Sequence, residues 1–314
     1  MNIVIAGAGS IARKHLNSLK NIPYANVVSL VAGNEAEAKE VAAANNIPHW
    51  TLDLAEALAI PGVDCAILCT PTPMHADQAV QVMKAGKHVM VEIPMGMSLA
   101  ESRMICDVQK ETGLTAMVAH TRRFNPPHQW IHQQLREGKL HLHHLVVETL
   151  FHRRTNKSAL GVERNWSDHL LWHHACHSVD LFAWQTGEPL IKRWAQQGPV
   201  SPIIGVPLDM TIGLKSQSNK LCTVALSFNN EGPLGSWFRY ICEEGTFKVR
   251  YNDMTNGWDK PIDYDWQGVS DNGIELQDRE FFEAIKENRT PEASADSCFL
   301  TMENLHKLEY IAHN

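Results

Sequence analysis

Several signals are missing from this sequence, and each absence narrows what the chain can be. No apolar run approaches the length of a membrane-spanning helix. Met1-Asn2-Ile3-Val4 runs straight into a strand pattern rather than a signal peptide. Cationic excess is also missing. Lys and Arg number 28 against 35 Asp and Glu, a formal net charge of -7, which argues against nucleic acid or a membrane surface as the main partner. The seven cysteines are odd in number and contain no C-x-x-C pair, so reduced thiols in a cytoplasmic protein are expected. Cys65 and Cys69, in V-D-C-A-I-L-C-T, read as buried strand residues. Neither repeats nor a low-complexity linker break the chain, yet 314 residues are too many for one simple core. Two domains are expected.

What is present begins at the N-terminus. A strand over Ile3 to Ala6 is followed by Gly7-Ala8-Gly9-Ser10-Ile11-Ala12 and a helix from Arg13 to Lys20. This is G-x-G-x-x-A in the setting that gives it meaning. Gly7 permits the tight turn, Gly9 lets the backbone approach a pyrophosphate, and Ala12 lets helix and strand pack closely. The helix N-terminus, at Ser10 and Ile11, attracts phosphate charge. The second strand, Val27 to Val31, ends at Ala32-Gly33-Asn34, where an NAD-selective site usually carries an acid for the ribose hydroxyl. That acid is missing; Glu35 fits a helix start better. An uncharged pocket at Gly33 and Asn34, with Arg13 within reach, leaves room for a 2'-phosphate, so NADP is the expected cofactor and NAD the alternative. Further strands and helices alternate to Glu92, which implies a doubly wound parallel sheet.

The second feature is Trp166 to Asp180, W-S-D-H-L-L-W-H-H-A-C-H-S-V-D. It reads as one helix, with Asn165 or Ser167 as N-cap and Gly187 as the stop. His169, His173 and His177 are four apart and stack along one face, with Asp180 close behind. His174 points elsewhere on the helix and Cys176 reads as packing. Such a stripe suits proton transfer, because an imidazole with an unperturbed pKa of about 6.5 accepts protons near neutrality. Zinc is the competing reading. Three rings over two turns span about 12 Å, too far to converge on one ion, and no metal site is expected.

Further motifs carry a family resemblance. C-T-P-T-P-M-H at 69–75, A-G-K-H-V-M-V-E-I-P at 85–94, H-T-R-R-F-N-P at 120–126, the helix ending at His177 and Asp180, and D-R-E-F-F-E-A-I at 278–285 together resemble the Gfo/Idh/MocA oxidoreductases. The resemblance covers the whole chain. It implies an α/β protein with a Rossmann doubly wound parallel sheet over residues 1–120. Residues 121–314 would form a substrate-binding and oligomerisation α/β domain with an open, mostly antiparallel sheet. Val146 to Arg153, Met210 to Lys215, Leu221 to Phe228, Trp237 to Glu243 and Gly245 to Tyr251 would supply its strands. A homodimer or homotetramer through that sheet is implied. The same resemblance places Thr70, Pro71, His75 and Glu92 beside the cofactor and makes His177 the catalytic residue, with Asp180 behind it.

Departures from the family pattern point to substrate. The usual E-K-P is Glu92-Ile93-Pro94, so the lysine that assists sugar oxidation is absent, and His173 stands where the family has aspartate. These changes resemble one branch, which in aromatic-acid breakdown oxidises the cyclic hemiacetal of a carboxylated semialdehyde to a lactone. Such a reaction needs a base and a hydride acceptor but no thiol nucleophile. Cations for the carboxylates are available at Arg122, Arg123, Arg153, Arg154 and Arg164, with Trp166 and His169 close by in sequence. Two other readings remain beside this one: a sugar or inositol dehydrogenase of the same family, and a nucleotide-binding regulator without catalysis.

Overall fold

Ile3, Val4, Ile5 and Ala6 are fully buried because β1 (Asn2–Ala6) lies inside a parallel sheet with neighbours on both sides. The structure, a computed structural model, describes residues 1–157, 161, 163–164 and 166–313. Beside β1 stand β2 (Asn26–Val31), β3 (His49–Thr51), β4 (Cys65–Leu68), β5 (His88–Val91) and β6 (Ala116–Val118), in the order β3-β2-β1-β4-β5-β6. Every pairing is parallel. Helices α1 (Ser10–Leu19), α2 (Glu35–Ala44), α3 (Leu54–Leu58), α4 (His75–Lys84) and α5 (Leu99–Thr112) fill the crossovers. The strand order reverses at the β1/β4 pair, and sheets of this kind bind ligands outside the carboxyl ends of such strands.

A second seven-stranded sheet follows helix α6 (Pro126–Arg136). It contains β7 (Leu142–Leu150), β8 (Leu190–Gln197), β9 (Asp209–Ser216), β10 (Leu221–Ser227), β11 (Gly235–Cys242), β12 (Gly245–Arg250) and β13 (Asp253–Asn256). Their order is β13-β12-β11-β7-β10-β9-β8. Only the β7/β10 pair is parallel; the rest are antiparallel. Met210, Ile212 and Leu214 of β9, and Cys222, Val224 and Leu226 of β10, are buried at every second position, so the sheet presents one face to a core. Between β7 and β8 runs a helix that begins as a π turn, Leu170–Ala175, and continues as α7 (Cys176–Thr186) until Gly187 stops it in the left-handed conformation. The π turn packs against β9 and β10.

The chain divides at residue 120, but not into two continuous halves. One unit holds residues 1–120 and 274–300, the other 121–273 and 301–314. Most of α8 (Gly273–Glu287) and the start of α9 (Ala295–His313) belong to the first unit. The reason is burial. Phe281 and Phe282 are fully buried, each contributing about 1.5–3 kcal/mol, and the Val118 N–H donates to Ala293 O. All seven cysteines are buried thiols, and none is joined in a disulfide. No helix among the described residues is long and apolar enough to cross a membrane.

Candidate active site

The glycine turn is built as its sequence demands. Gly7 has φ +111°, and a Cβ there would stand 2.4 Å from the carbonyl oxygen of Cys69, so no other residue fits without moving backbone. Gly9 is extended at the N-cap of α1, and a Cβ built on it meets nothing within 4 Å. The space in front of Gly9 and the first N–H groups of α1, at Ser10, Ile11 and Ala12, therefore fits a pyrophosphate. Asn34, an amide, caps α2 by accepting the Glu37 N–H, and the carboxylate of Glu35 is paired with Lys39. Arg13 reaches Glu40 at 3.0 Å, an ion pair exposed enough to be worth ~1 kcal/mol or less.

Beyond β4, Thr70 donates to Gln78, and the buried His75 ring bridges the carbonyl oxygens of Thr70 and Pro94, the latter after a cis Ile93-Pro94 bond. Pro71 is the N-cap of the short 3-10 turn that leads into α4. Glu92 has a partner the sequence did not reveal: its Oε1 lies 2.9 Å from His15 Nε2, while His15 Nδ1 sits 2.8 Å from Asp278. Both His15 and Asp278 are fully buried. Burial alone would lower the His15 pKa, but Asp278 and Glu92 outweigh it and raise it to about 10. Asp278 is also pushed up, by burial first, with His15 pulling it back. The charge this cluster keeps is the imidazolium, because two carboxylates share it.

In the second unit the histidine helix differs from the expected one. It does not start at Ser167, whose hydroxyl donates to Ile204 O; Asn165 lies outside the described residues. His169 is the cap instead, accepting the Leu171 N–H on Nδ1 at 3.2 Å. Its own N–H donates to His173 Nδ1 at 2.8 Å. The even stripe of three rings is therefore broken: His169 lies outside the helix, His173 on the π turn and His177 on α7. This bonding also fixes chemistry. With Nδ1 accepting, a neutral His173 carries its proton on Nε2. Its ring stacks on Trp166, centroids 5.6 Å apart. His177 is half-buried on the first turn of α7. His174 packs between Phe151 and Phe228, and burial brings its pKa down to about 4.

The arginines separate into groups. Arg153 and Arg164 converge on Asp168, at 2.5 and 3.1 Å. Arg122 is held by Asn125 at 3.3 Å beside the Phe238 ring, and burial lowers its pKa. Arg123 donates from Nε and Nη2 to the two oxygens of Asp180, which also accepts from Thr301. Arg154 is exposed and donates to the carbonyls of Arg153 and Phe228 and to Asn229, bracing a loop. Sequence reasoning also missed Asp168 and His15. An acid inside W-S-D-H and a histidine on the phosphate helix were the available signals.

A Rossmann sheet with this glycine turn, joined to a second unit bearing histidines and paired arginines, defines a dinucleotide-dependent oxidoreductase. Residues 1–120 match the family described as "Oxidoreductase family, NAD-binding Rossmann fold", and residues 126–267 match "Bacterial oxidoreductases, C-terminal". The chain belongs to the Gfo/Idh/MocA oxidoreductase family. It is 51% identical over 294 residues to 4-carboxy-2-hydroxymuconate-6-semialdehyde dehydrogenase of Sphingobium sp. (strain NBRC 103272 / SYK-6), covering 94% of this chain and 93% of that one. With the scyllo-inositol 2-dehydrogenase (NAD(+)) of Bacillus subtilis (strain 168) it shares 31% identity over 137 residues, 43% of this chain and 40% of that one. Among solved structures, GenD2 from gentamicin A biosynthesis in complex with NAD superposes with a TM-score of 0.84 at 18% identity. That match covers 100% of this chain and 94% of GenD2, and at this identity it speaks for the fold alone.

Proposed function

We propose that this oxidoreductase converts the cyclic hemiacetal of 4-carboxy-2-hydroxymuconate-6-semialdehyde to 2-pyrone-4,6-dicarboxylate, with NADP as the preferred nucleotide. The observation that carries the reading is the pair of arginines, Arg153 and Arg164, gathered on a single acid in the unit that holds the histidine helix. A polycarboxylate needs such cations, whereas a sugar does not. The 51% identity to the Sphingobium enzyme supports the same reading. Ile93 at the family's lysine position, and no acid poised after β2, weigh in the same direction for substrate and nucleotide.

In this proposal a bound nicotinamide dinucleotide supplies the hydride acceptor, held by the turn at Gly7 and Gly9 and the first N–H groups of α1. His177 takes the hemiacetal hydroxyl proton as the C–H electron pair leaves, so the carbon gains its carbonyl bond and becomes the lactone. His173 donates a hydrogen bond from Nε2 to a substrate oxygen. Asp180, held by Arg123 and Thr301, anchors the helix under His177. Arg122 serves a further carboxylate. The exposed Ile191 and Trp194 on β8 are proposed as part of a homo-oligomeric contact, tested by light scattering of the purified protein.

The deciding experiment mixes protein, NADP and enzymatically generated semialdehyde, following reduced nicotinamide and the pyrone together. Stoichiometric formation of both is expected. Oxidation of inositols or sugars without turnover of the semialdehyde would transfer the assignment to the sugar dehydrogenases of the family.

A further inference from the structure

Asp168 stands between two guanidinium groups, and its two oxygens are divided between them. Arg153 Nη2 meets Oδ2 at 2.5 Å and Arg164 Nη1 meets Oδ1 at 3.1 Å. All three side chains are largely buried, with 14–18% of their surface exposed. Two cations on one acid leave one positive charge. The remaining donors are also buried: Arg153 Nη1 and Arg164 Nε and Nη2 have no hydrogen-bond partner among the described residues. A protein gains nothing by hiding three charged donors without acceptors; each orphan costs about 1–3 kcal/mol. Something anionic belongs beside them.

The surroundings define which anion. Arg153 lies against the Phe228 ring at 4.8 Å and Arg164 against the Trp166 ring at 4.7 Å, so both forks are held before any ligand arrives. Trp166 in turn stacks on His173. His174, close enough to feel both arginines, is held neutral by burial and adds no charge to the pair. A flat fork with one unit of charge matches one carboxylate, both in shape and in sign. A doubly charged phosphate or sulfate would bury an uncompensated negative charge, and a neutral hydroxyl would leave the cation unpaired.

We propose that Asp168 is a positioning residue that sets substrate specificity: by aligning Arg153 and Arg164 and cancelling one of their charges, it makes a receptor for a single planar carboxylate of the substrate. This rests on the carboxylated substrate proposed above, and it goes further in naming the residue that selects the charge. Without Asp168 the two arginines would carry two charges and lose their common anchor. The selectivity should then move from carboxylate towards divalent anions.

Two measurements test this on the full-length protein. In thermal-shift titrations, acetate should stabilise the wild type more than sulfate at matched ionic strength. Asp168→Asn should reverse that order, while Arg164→Gln, left with one arginine on one acid, should respond to neither. In steady-state assays Asp168→Asn should raise KM for the hemiacetal roughly tenfold, the scale of one lost charge-assisted contact, with kcat within about threefold. Asp168→Glu should recover part of the loss. An Asp168→Asn protein with wild-type anion preference would overturn the proposal, as would a fall in kcat with KM unchanged. Should Asp168→Asn fail to fold, equal responses of the wild type and Arg164→Gln to acetate would overturn it as well. A wild type that ignores the semialdehyde would defeat the substrate reading alone, because the anion titrations do not depend on turnover.

Discussion

Arg123 clasps Asp180 through two parallel bonds, Nε to Oδ2 at 2.8 Å and Nη2 to Oδ1 at 2.6 Å, in a part of the second unit where Asp180 is wholly buried. The pair ties the turn before α6 to the first turns of α7. Removing one partner strands the other's charge, so Arg123→Ala is expected to cost about 3–5 kcal/mol of stability. Arg123→Lys should recover only part, because a lysine cannot make the fork. Urea unfolding followed by tryptophan fluorescence reads both; an Arg123→Ala midpoint equal to the wild type would contradict the structural role given to this pair.

His177 carries the proton in the proposed reaction. His177→Ala should lose roughly 10²–10⁴ in kcat while nucleotide affinity stays unchanged. Nucleotide titration beside the semialdehyde assay separates the two effects. Near-normal turnover would transfer the role to another histidine of the helix.

Gly7 and Gly9 should respond differently to substitution. At Gly7 an added methyl runs into the Cys69 carbonyl, so Gly7→Ala should lower the melting temperature as well as nucleotide binding. At Gly9 the added group meets only open space, so Gly9→Val should fold normally and lose the nucleotide. Equal nucleotide affinity for Gly9→Val and wild type would remove the pyrophosphate from that turn.

The His15 cluster predicts a pH dependence with a definite sign. The folded-state pKa is raised, to about 10 against 6.5 when unfolded, so the folded chain binds this proton more tightly. The stabilisation is complete below about pH 6.5, declines as pH rises, and is gone above about 10. The raised Asp278 carboxyl works in the same direction. Stability curves of wild type and His15→Gln should therefore converge as pH climbs from 7 to 10. Curves that stay parallel would mean His15 is not charged in the folded protein.

Arg13 offers a test of nucleotide choice. Its present partner, Glu40, is largely exposed and easily exchanged for a phosphate. Arg13→Glu is expected to weaken NADP at least tenfold while NAD binding changes little. Equal losses would leave Arg13 as helix surface.

The first sheet was legible because its signals are local. Apolar runs such as Cys65–Leu68, and a glycine turn set between strand and helix, need no knowledge of distant residues. Strand β8 was not read: in L-I-K-R-W-A-Q-Q only Leu190 and Ala195 are buried, so no alternation marks it. The π turn escaped for another reason. It depends on His169 and His173 bonding to backbone N–H groups, and spacing alone suggests an ordinary helix. The bond between Arg123 and Asp180 joins residues 57 apart, so no local pattern announces it. His15 and Asp278 are 263 residues apart, and no pattern links them before the chain folds.

The seven buried thiols give this protein built-in reporters of its own opening. Cys65, Cys69, Cys106 and Cys298 belong to the first unit, and Cys176, Cys222 and Cys242 to the second. Burial raises the thiols of Cys106 and Cys242 to about 12, so an alkylating reagent meets almost no thiolate until the surrounding segment opens. Mass-resolved trapping under native conditions would then time the opening of each unit in unmodified protein. Adding nucleotide should slow the first set more than the second, so the natural cysteines separate the two halves of the chain without any engineered label.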